Sequence, residues 1–334
     1  MRVSAGTSVK TCRCFAPSAR GVIASLLLLL AAGAQAAYPD RPIRLIVPQA
    51  PGAASDTIAR IVATEVSRQI GQQVVVDNRP GGALMIGLEL VSRATPDGYT
   101  IGFGPVGGLA ISPHVVGKLS FDIQKLQPIA QTASNQLLIA AGPAAPFKTV
   151  RDIVEFSKQN PGKLSNASSG NGTPGHVGFE LFKTMTATKI VHVPYKGGAA
   201  AITDLVGGQV HLMMESLNSI APHAKGGRVR AIAVTGARRT DVLPDVPTVA
   251  ESGVPGYEAT TWNGIVGPAG LPRPVVLRLN LEINRALASA PVKERFAAIG
   301  AEGLQTTPEQ FGELVKREYA KWGEVVRRSG ARID

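Results

Sequence analysis

The sequence predicts an α/β protein whose ligand site lies in a cleft between two lobes. Short β-rich runs alternate with segments of helical periodicity, which is typical of α/β folds with largely parallel sheets. Breaks rich in proline and glycine at 142–146 and 254–258 indicate that a second lobe is inserted into the first. Two such crossings would form a hinge, and open α/β sheets bind ligands at the carboxyl ends of their strands.

Individual elements follow from the spacing of apolar residues. The apolar run Ile43–Val47 predicts a buried strand, and the spacing over 58–70 predicts an amphipathic helix that Gly71 stops. Residues 126–141 predict one long strand or a pair of strands, and Val150–Gln159 predicts a helix. The C-terminal tail is predicted to be helical at 274–288, 291–299 and 308–329.

The N-terminus has the features of a signal peptide. Its basic residues precede the first acid, Asp40, and an apolar run at 21–32 is followed by Ala-Gln-Ala at 34–36. That run is too short to cross a bilayer, which needs roughly 20 apolar residues. We therefore predict a signal peptide at 1–36, Sec export, cleavage near Ala36 and a periplasmic protein. A retained membrane anchor is the alternative.

Composition excludes several classes of site. Both cysteines, Cys12 and Cys14, lie in the predicted signal peptide, so the exported chain would lack disulfides, a thiolate nucleophile and a lipid anchor. The histidines show no metal-binding spacing, and we expect no metal and no cofactor. The net charge is +11 at pH 7, but the basic residues are scattered, so nucleic acid is not expected as a partner.

The segment PQAPGAASD (48–56) joins the first strand to the first helix and contains no Lys or Arg. It lacks the Walker A and dinucleotide-binding patterns. Free N–H groups at a helix start attract anions, so residues 49–56, called here the first loop, predict an anion site that includes Ser55 and Asp56. Asp56 could instead serve only as a helix N-cap.

The segment SSGNGTPGH (168–176), called here the second loop, repeats this strand–loop–helix design and adds hydroxyl groups. Its serines and His176 could mimic a nucleophile–base pair, but no Gly-x-Ser-x-Gly elbow is present, so we do not expect an enzyme. His176 would cap the helix or touch the ligand. The segment YKGG (195–198), called here the third loop, again follows a strand and opens a helix.

Two further residues have open roles. Glu215 ends a predicted strand, where it would be either a cleft residue or part of a solvated edge. Trp262 lies at the second lobe crossing and is expected to pack in the core or to form a cleft wall.

The ordered segments together resemble the Bug family, the periplasmic solute-binding receptors of tripartite tricarboxylate transporters. The likeness runs from Tyr38 to the C-terminal helix. The segments that carry it are YPDRPIRLIVPQAPGAASD, VVVDNRPGG, TPDGYT, SSGNGTPGH, VPYKGGAAAITDLVGGQVHLMMES and LPDVPTVAESGVPGYEATTWNGIVGPAGLP.

The resemblance implies a two-lobed Venus-flytrap fold, with lobe 1 at 37–141 and 259–334 and lobe 2 at 142–258. It also implies that two loops, one from each lobe, grip a ligand carboxylate through backbone amides, hydroxyls and water. The first loop would contribute Pro51, Gly52, Ala53, Ala54, Ser55 and Asp56. The second would contribute Ser168, Gly170, Gly172, Thr173 and His176, with Asn78 and Glu215 at neighbouring positions.

The function implied is capture of a small carboxylate solute by hinge closure and its delivery to the membrane permease subunits, by a monomeric receptor. A receptor that signals to a membrane sensor, and an exported hydrolase, are the alternatives. The chain departs from the family at Ala53, where the common pattern has glycine. Whether the ligand is a tricarboxylate, a dicarboxylate, an aromatic acid, an amino acid or an uncharged solute stays open.

Overall fold

Strands and helices alternate along the chain as the sequence predicts. The computed structural model describes residues 1, 2, 4, 6 and 38–330 and divides the chain into Met1–Asp40 and Arg41–Asp334. All elements given below belong to the second unit. Most of the predicted signal peptide, with Cys12 and Cys14, lies outside the described residues.

The strands are β1 (Ile43–Val47), β2 (Val74–Asn78), β3 (Thr100–Pro105), β4 (Gln127–Ala141), β5 (Ser165–Ser168), β6 (Val191–Pro194), β7 (Leu212–Ser216), β8 (Arg230–Val234), β9 (Thr260–Gly267) and β10 (Glu302–Gly303). The α-helices are α1 (Ala54–Ile70), α2 (Met85–Ser92), α3 (Ser112–Val115), α4 (Val150–Gln159), α5 (Pro174–Thr186), α6 (Gly198–Val206), α7 (Leu217–Lys225), α8 (Arg273–Ala288), α9 (Ala290–Ala298) and α10 (Pro308–Ser329).

The strands form two sheet segments that share β4. The main path runs β2-β1-β3-β9-β4-β7-β5-β6, and β8 and β10 also pair with β4. Pairing is parallel at both ends of this path, among β1, β2 and β3 and among β5, β6 and β7. The central strands β4 and β9 are antiparallel to their neighbours, so the sheet is mixed.

The two sheet segments meet within β4. Its first part, Gln127 to Gln136, pairs with β9, and its second part, Leu137 to Ala141, pairs with β7. The chain therefore changes sheet partners inside a continuous strand, a few residues before the proline and glycine break at 142–146. Periodicity alone left open whether 126–141 was one strand or two, and the structure contains one.

A buried threonine joins the segments that cross between the two sheets. The hydroxyl of Thr235, which is fully buried, donates to the carbonyl of Ala259 at 2.6 Å and accepts from the N–H of Leu137 at 2.8 Å. The N–H of Ala259 in turn donates to the carbonyl of Thr235 at 2.9 Å. One side chain thus connects the chain leaving β8, the middle of β4 and the start of β9.

The sequence prediction was accurate for long periodic elements and incomplete for short ones. Helix α1 ends at Gly71, whose φ of 69° is the left-handed conformation that glycine adopts without strain. Helix α4 has the predicted bounds, and a capping box formed by Thr149 and Asp152 fixes its start. The π-helical turn Gly107–Ile111 and strand β10 had no prediction.

Candidate functional site

A cavity of about 500 Å³ lies where the two sheet segments meet. Its wall contains residues of the first loop (Ala53, Ala54 and Ser55), of the second loop (Gly172 and Thr173) and of the third loop (Gly197 and Gly198). The crossing strands supply the floor with Asn135, Trp262 and Asn263. The loops that the sequence predicts to converge therefore line one cavity.

Three helix N-termini face this cavity. Helices α1, α5 and α6 begin after Ala53, Thr173 and Gly197, and within the described part of the chain no side chain caps any of the three. The first N–H groups of a helix have no acceptor within the helix, and the helix dipole places partial positive charge at that end. The cavity therefore has a wall of hydrogen-bond donors suited to an anion.

Side-chain charge contributes little to this potential. Among the described residues that line the cavity none is Lys or Arg, and Glu215 is the one ionisable side chain. Any anion bound there would be held by backbone amides and hydroxyls rather than by a cation. This arrangement avoids the large free-energy penalty of burying an unpaired ammonium or guanidinium group.

The carboxylate of Asp56 shapes the first loop from behind the cavity wall. It accepts the N–H of Gly52 at 2.8 Å, the amide of Asn78 at 2.8 Å and the guanidinium of Arg60 at 2.9 Å. Burial would raise the pKa of Asp56, but these hydrogen bonds outweigh it and lower the pKa below its usual value. Asp56 lies in the first turn of α1 and is not its N-cap, which is Ala53.

The backbone at Gly52 and Ala53 explains how the loop accommodates the alanine. Gly52 has a φ of 82°, a conformation that favours glycine. Ala53 has φ −66° and ψ 158°, an extended conformation open to any residue. The methyl group of Ala53 therefore produces no backbone strain and instead occupies space at the cavity wall.

The first loop is also bonded to the crossing strand β9. The hydroxyl of Ser55, in the first turn of α1, donates to the side-chain carbonyl of Asn263 at 3.0 Å, and both residues are buried. Asn263 faces Ala133 of β4 in the sheet register. The N-terminus of α1 is thereby fixed to β9, which pairs with β4.

Two stacked histidines support the second loop. The rings of His176 and His192 lie 3.8 Å apart and nearly parallel, at 7°. His176 Nδ1 accepts the N–H of Gly172 at 3.0 Å, and His192 Nε2 lies 2.6 Å from the hydroxyl of Ser168. The Ser168 hydroxyl and Thr173 Oγ1 both bond the carbonyl of Gly170.

Both rings are neutral at neutral pH. Burial, the neighbouring His192 ring and Lys183 lower the pKa of His176 to about 3. Burial and Lys183 lower the pKa of His192 to about 4. A neutral His176 can accept the Gly172 N–H because its Nδ1 lone pair is free, and this hydrogen bond turns that N–H away from the cavity.

Two buried polar side chains reach the cavity without satisfied partners. Oε2 of Glu215 and Oδ1 of Asn135 have no hydrogen-bond partner among the described residues, although the side chains are only 8% and 5% exposed. Glu215 Oε1 accepts the N–H of Ser216 at 2.8 Å. Buried polar atoms are almost always hydrogen-bonded, so these two atoms mark positions where a ligand or water would bind.

Trp262 forms one wall and is held from behind. Its indole packs edge-on against Phe311 at 5.8 Å, and its Nε1–H donates to Glu318 Oε2 at 3.4 Å. The Trp322 indole donates to the same oxygen at 2.9 Å. Trp262 is therefore both a core residue and a cavity wall, the two roles that the sequence left open.

The structure separates the predicted site residues into two groups. Those that line the cavity are Ala53, Ala54, Ser55, Gly172, Thr173 and Glu215. Those that are not part of its lining are Pro51, Gly52, Asp56, Asn78, Ser168, Gly170 and His176. Asp56, Asn78, Ser168 and His176 have hydrogen-bond partners within the two loops, and ligand contact by this second group stays a prediction.

Sequence reasoning missed several lining residues, among them Asn135, Asn263 and Ser112. Asn135 and Asn263 interrupt apolar strands, and a buried amide in such a strand is a signal that could have identified them. Ser112 follows the π-helical turn, for which the apolar pattern gave no indication.

An anion-suited cavity between two α/β sheet segments defines a solute-binding protein of the periplasmic-binding-protein class. The family described as Tripartite tricarboxylate transporter family receptor (TctC) matches residues 58–331. The chain belongs to this family, whose members are periplasmic binding proteins that serve tripartite tricarboxylate transporters. The resemblance found in the sequence is thereby confirmed, and so are the two-lobed α/β fold and the role of solute-binding transport receptor.

Relatives of known sequence support the assignment. A protein encoded in the tcbD–tcbE intergenic region of Pseudomonas sp. strain P51 is 38% identical, over 87% of each chain. Protein BugT of Bordetella pertussis is 34% identical, over 89% of this chain and 91% of its own.

Solved structures extend the likeness to the fold. Rpa4515 of R. palustris with adipate is 34% identical with a TM-score of 0.79, over 89% of this chain and all of its own. The periplasmic binding protein BugD is 33% identical with a TM-score of 0.75, over 88% of this chain and 99% of its own. MatC of Rhodopseudomonas palustris with bound malate is 29% identical with a TM-score of 0.75, over 86% of this chain and all of its own.

Proposed function

We propose that the receptor holds the carboxylate of a small organic acid between the N-termini of α1 and α5. The observation that carries this proposal is that both helices start, without a side-chain cap, at one cavity that no Lys or Arg lines among the described residues. The first loop offers the N–H groups of Ala54, Ser55 and Asp56, and the second offers the N–H groups of Gly175 and His176.

The energies involved are sufficient for tight binding. A hydrogen bond to a charged group contributes about 1.5–3 kcal/mol. Micromolar affinity requires about 8 kcal/mol net. Three or four amide hydrogen bonds to a carboxylate contribute to the binding free energy, and so does burial of the ligand's apolar part against Ile58 and Trp262. Together they supply about 8 kcal/mol net after the free-energy cost of association and hinge closure is subtracted.

The site residues fall into two roles under this proposal. The lining residues bind the ligand directly. The side chains behind them hold the loops: Asp56 and Asn78 for the first, Ser168 and His176 for the second. Relatives solved with adipate and malate make a dicarboxylate the first class of ligand to test.

Hinge closure brings the two loops together. We propose lobe 1 at 37–141 and 259–334 and lobe 2 at 142–258, with bending at Gln136–Leu137 of β4 and around Ala259. The change of sheet partners inside β4 and the Thr235 hydrogen bonds support these positions. The receptor acts as a monomer by binding, without catalysis, and presents its ligand-bound form to the permease subunits.

Calorimetric titration with acid–amide pairs of the same carbon skeleton tests the binding mode. A carboxylate should bind with micromolar affinity, and the matching carboxamide should bind at least about ten-fold more weakly because it lacks the charge that the helix termini favour. Equal affinity for a carboxylate and its amide would contradict the proposal. Binding by neither member of any pair would contradict carboxylate capture altogether.

Export and transport have separate tests. We propose that a signal peptide at 1–36 directs the chain to the periplasm and is cleaved near Ala36, and intact mass of the exported protein tests this directly. Uptake of the identified ligand by cells that carry or lack the receptor gene tests delivery to the permease. Unchanged uptake combined with a lost signalling response would favour the sensing alternative.

A further inference from the structure

We propose that Glu215 binds the ligand as a neutral carboxylic acid, donating its proton from Oε2 to a second carboxylate of the ligand. The inference rests on the proposed function, because it assumes that the first carboxylate lies at the helix N-termini. It makes Glu215 the residue by which the cavity distinguishes a dicarboxylate from a monocarboxylate.

The geometry around Glu215 leaves one oxygen available. Oε1 accepts the Ser216 N–H at 2.8 Å, whereas Oε2 has no partner among the described residues and is buried. A Cβ added to Gly198 would lie 3.0 Å from Oε2, so this oxygen lies against the start of α6 at the cavity wall. An oxygen so placed meets whatever ligand group lies beside the third loop.

The surroundings of Glu215 favour its neutral form. Burial raises the pKa of Glu215, and the polar groups of Ser216 and Ser169 beside it only partly oppose this rise. Among the described residues no Lys or Arg lines the cavity, so an ionised Glu215 would meet only the partial positive charge at the start of α6 and no formal counter-charge. A carboxylate that enters such a site would be repelled by an ionised Glu215 and attracted by a protonated one.

Among the described residues, no side chain that faces Glu215 from a neighbouring element carries a formal positive charge at neutral pH. Glu215 also lines a second cavity, of about 470 Å³, with Ser169, with Gly198 and Thr203 of α6, and with Ser219 and His223 of α7. Burial and the nearby Arg228 lower the pKa of His223, so its ring is neutral at neutral pH. Asp204, the acidic residue of α6, is hydrogen-bonded to the hydroxyl of Tyr195.

Matched ligand triplets test the inference. For chain lengths of about four to six carbons, titrations would compare the dicarboxylate (succinate, glutarate, adipate), the monocarboxylate (butyrate, pentanoate, hexanoate) and the corresponding ω-amino acid. The wild type should prefer a dicarboxylate by at least about ten-fold. Above the pKa of Glu215 its affinity should fall by up to about ten-fold per pH unit, with uptake of one proton seen in buffers of different ionisation enthalpy.

Two variants distinguish the loss of the proton donor at Glu215 from a loss of folding. Glu215→Gln keeps a donor at the same place, so it should bind the dicarboxylate without the pH dependence and without proton uptake. Glu215→Ala should lose at least about ten-fold in affinity, with its folding checked by thermal melting.

The outcomes distinguish this inference from the proposed function. Preference for an ω-amino acid with affinity that rises with pH, or equal binding of mono- and dicarboxylates, would overturn the role of Glu215 and leave carboxylate capture intact. The same holds if only acids outside the triplets bind. Absence of binding by any carboxylate would instead contradict the proposed function itself.

Discussion

The backbone N–H of Gly52 donates a 2.8 Å hydrogen bond to Oδ2 of Asp56, four residues further along the chain. This contact folds the first loop back onto the start of α1, where the N–H groups of Ala54 and Ser55 are free to face the cavity. Asn78 and Arg60 hold the same carboxylate from β2 and α1, so its position is fixed from several sides. A buried acid beside an anion site is thus compatible with anion binding, because its charge is matched within the loop.

Replacing Asp56 by alanine should destabilise the protein and weaken ligand binding. The change leaves the Gly52 N–H without its acceptor and removes one of the two acceptors of the Asn78 amide, which we expect to lower the free energy of unfolding by about 3 kcal/mol. Urea unfolding and ligand titration measure both effects. The control is Glu89→Ala, which removes an exposed ion pair with Arg93 and should change stability by less than about 1 kcal/mol. Equal effects of the two substitutions would count against a structural role for Asp56.

Adjacent substitutions in the first loop should have opposite consequences. Gly52→Ala places a side chain on a residue with φ of 82°, which we expect to destabilise the loop by about 1–2 kcal/mol and to lower ligand affinity. Ala53→Gly removes a methyl group from extended backbone, so stability should fall by no more than about 1 kcal/mol. It should also admit bulkier acids. Loss of binding in Ala53→Gly with retention in Gly52→Ala would contradict this interpretation.

The stacked histidines predict a loss of stability in acid. An unfolded histidine binds a proton near its ordinary pKa of 6.5, whereas folded His176 and His192 bind one only near pH 3 and 4. Their contribution is therefore fully present above about pH 6.5 and decreases as the pH falls toward 4. The acids with lowered pKa values, such as Asp56, lose their contribution only at lower pH.

Urea unfolding between about pH 7.5 and pH 4.5 measures this loss. The double variant His176→Gln, His192→Gln should show a flatter dependence of stability on pH than the wild type. The exposed His211 serves as the control through His211→Gln, which removes a histidine that lies outside the stacked pair. Parallel profiles for the wild type and the double variant would show that the pair does not govern acid stability.

Tryptophan fluorescence should report ligand binding through one residue. Trp262 and Trp322 both donate their indole N–H to Oε2 of Glu318. Trp262 lines the cavity, whereas Trp322 is buried and is not part of its lining. Ligand should change the emission of the wild type and of Trp322→Phe, and the change should be lost in Trp262→Phe. A ligand signal that persists in Trp262→Phe and disappears in Trp322→Phe would place the ligand elsewhere.

Local sequence pattern predicted much of the fold because long apolar periodicities and glycine stops determine the major elements. The start of β1, the end of α1 at Gly71 and the bounds of α4 all follow from such local signals. The antiparallel pairing of β4 with β9 depends on contacts between distant residues, which periodicity does not encode. The change of sheet partners inside β4, between Gln136 and Leu137, is likewise a tertiary feature, and no proline or glycine adjoins it.

The loops of the candidate site could be predicted from the sequence. Which of their residues face the cavity, and which hold the loops in place from behind, could not. Small residues after a strand identify a helix start, so Ala53–Ser55 and Thr173 could be placed in a cleft from sequence. Whether a polar side chain points into the cavity or behind it depends on partners such as Asn78 for Asp56 and His192 for Ser168. Those partners lie on other strands, and only the folded chain brings them together.

The central claim is that backbone N–H groups at the start of α1 hold the ligand carboxylate, and Ala54→Pro tests it most directly. Ala54 is the first residue of α1, where proline is favoured, and the extended backbone of Ala53 suits a following proline. The substitution deletes one N–H and should leave the melting temperature unchanged or raised. Ala54→Gly keeps the N–H and serves as the control.

Calorimetric titration of these two variants with the tightest carboxylate ligand gives the decisive comparison. We predict that Ala54→Pro binds about ten- to hundred-fold more weakly than the wild type, while Ala54→Gly stays close to it. Wild-type affinity in a folded Ala54→Pro variant would contradict the claim that the start of α1 holds the carboxylate.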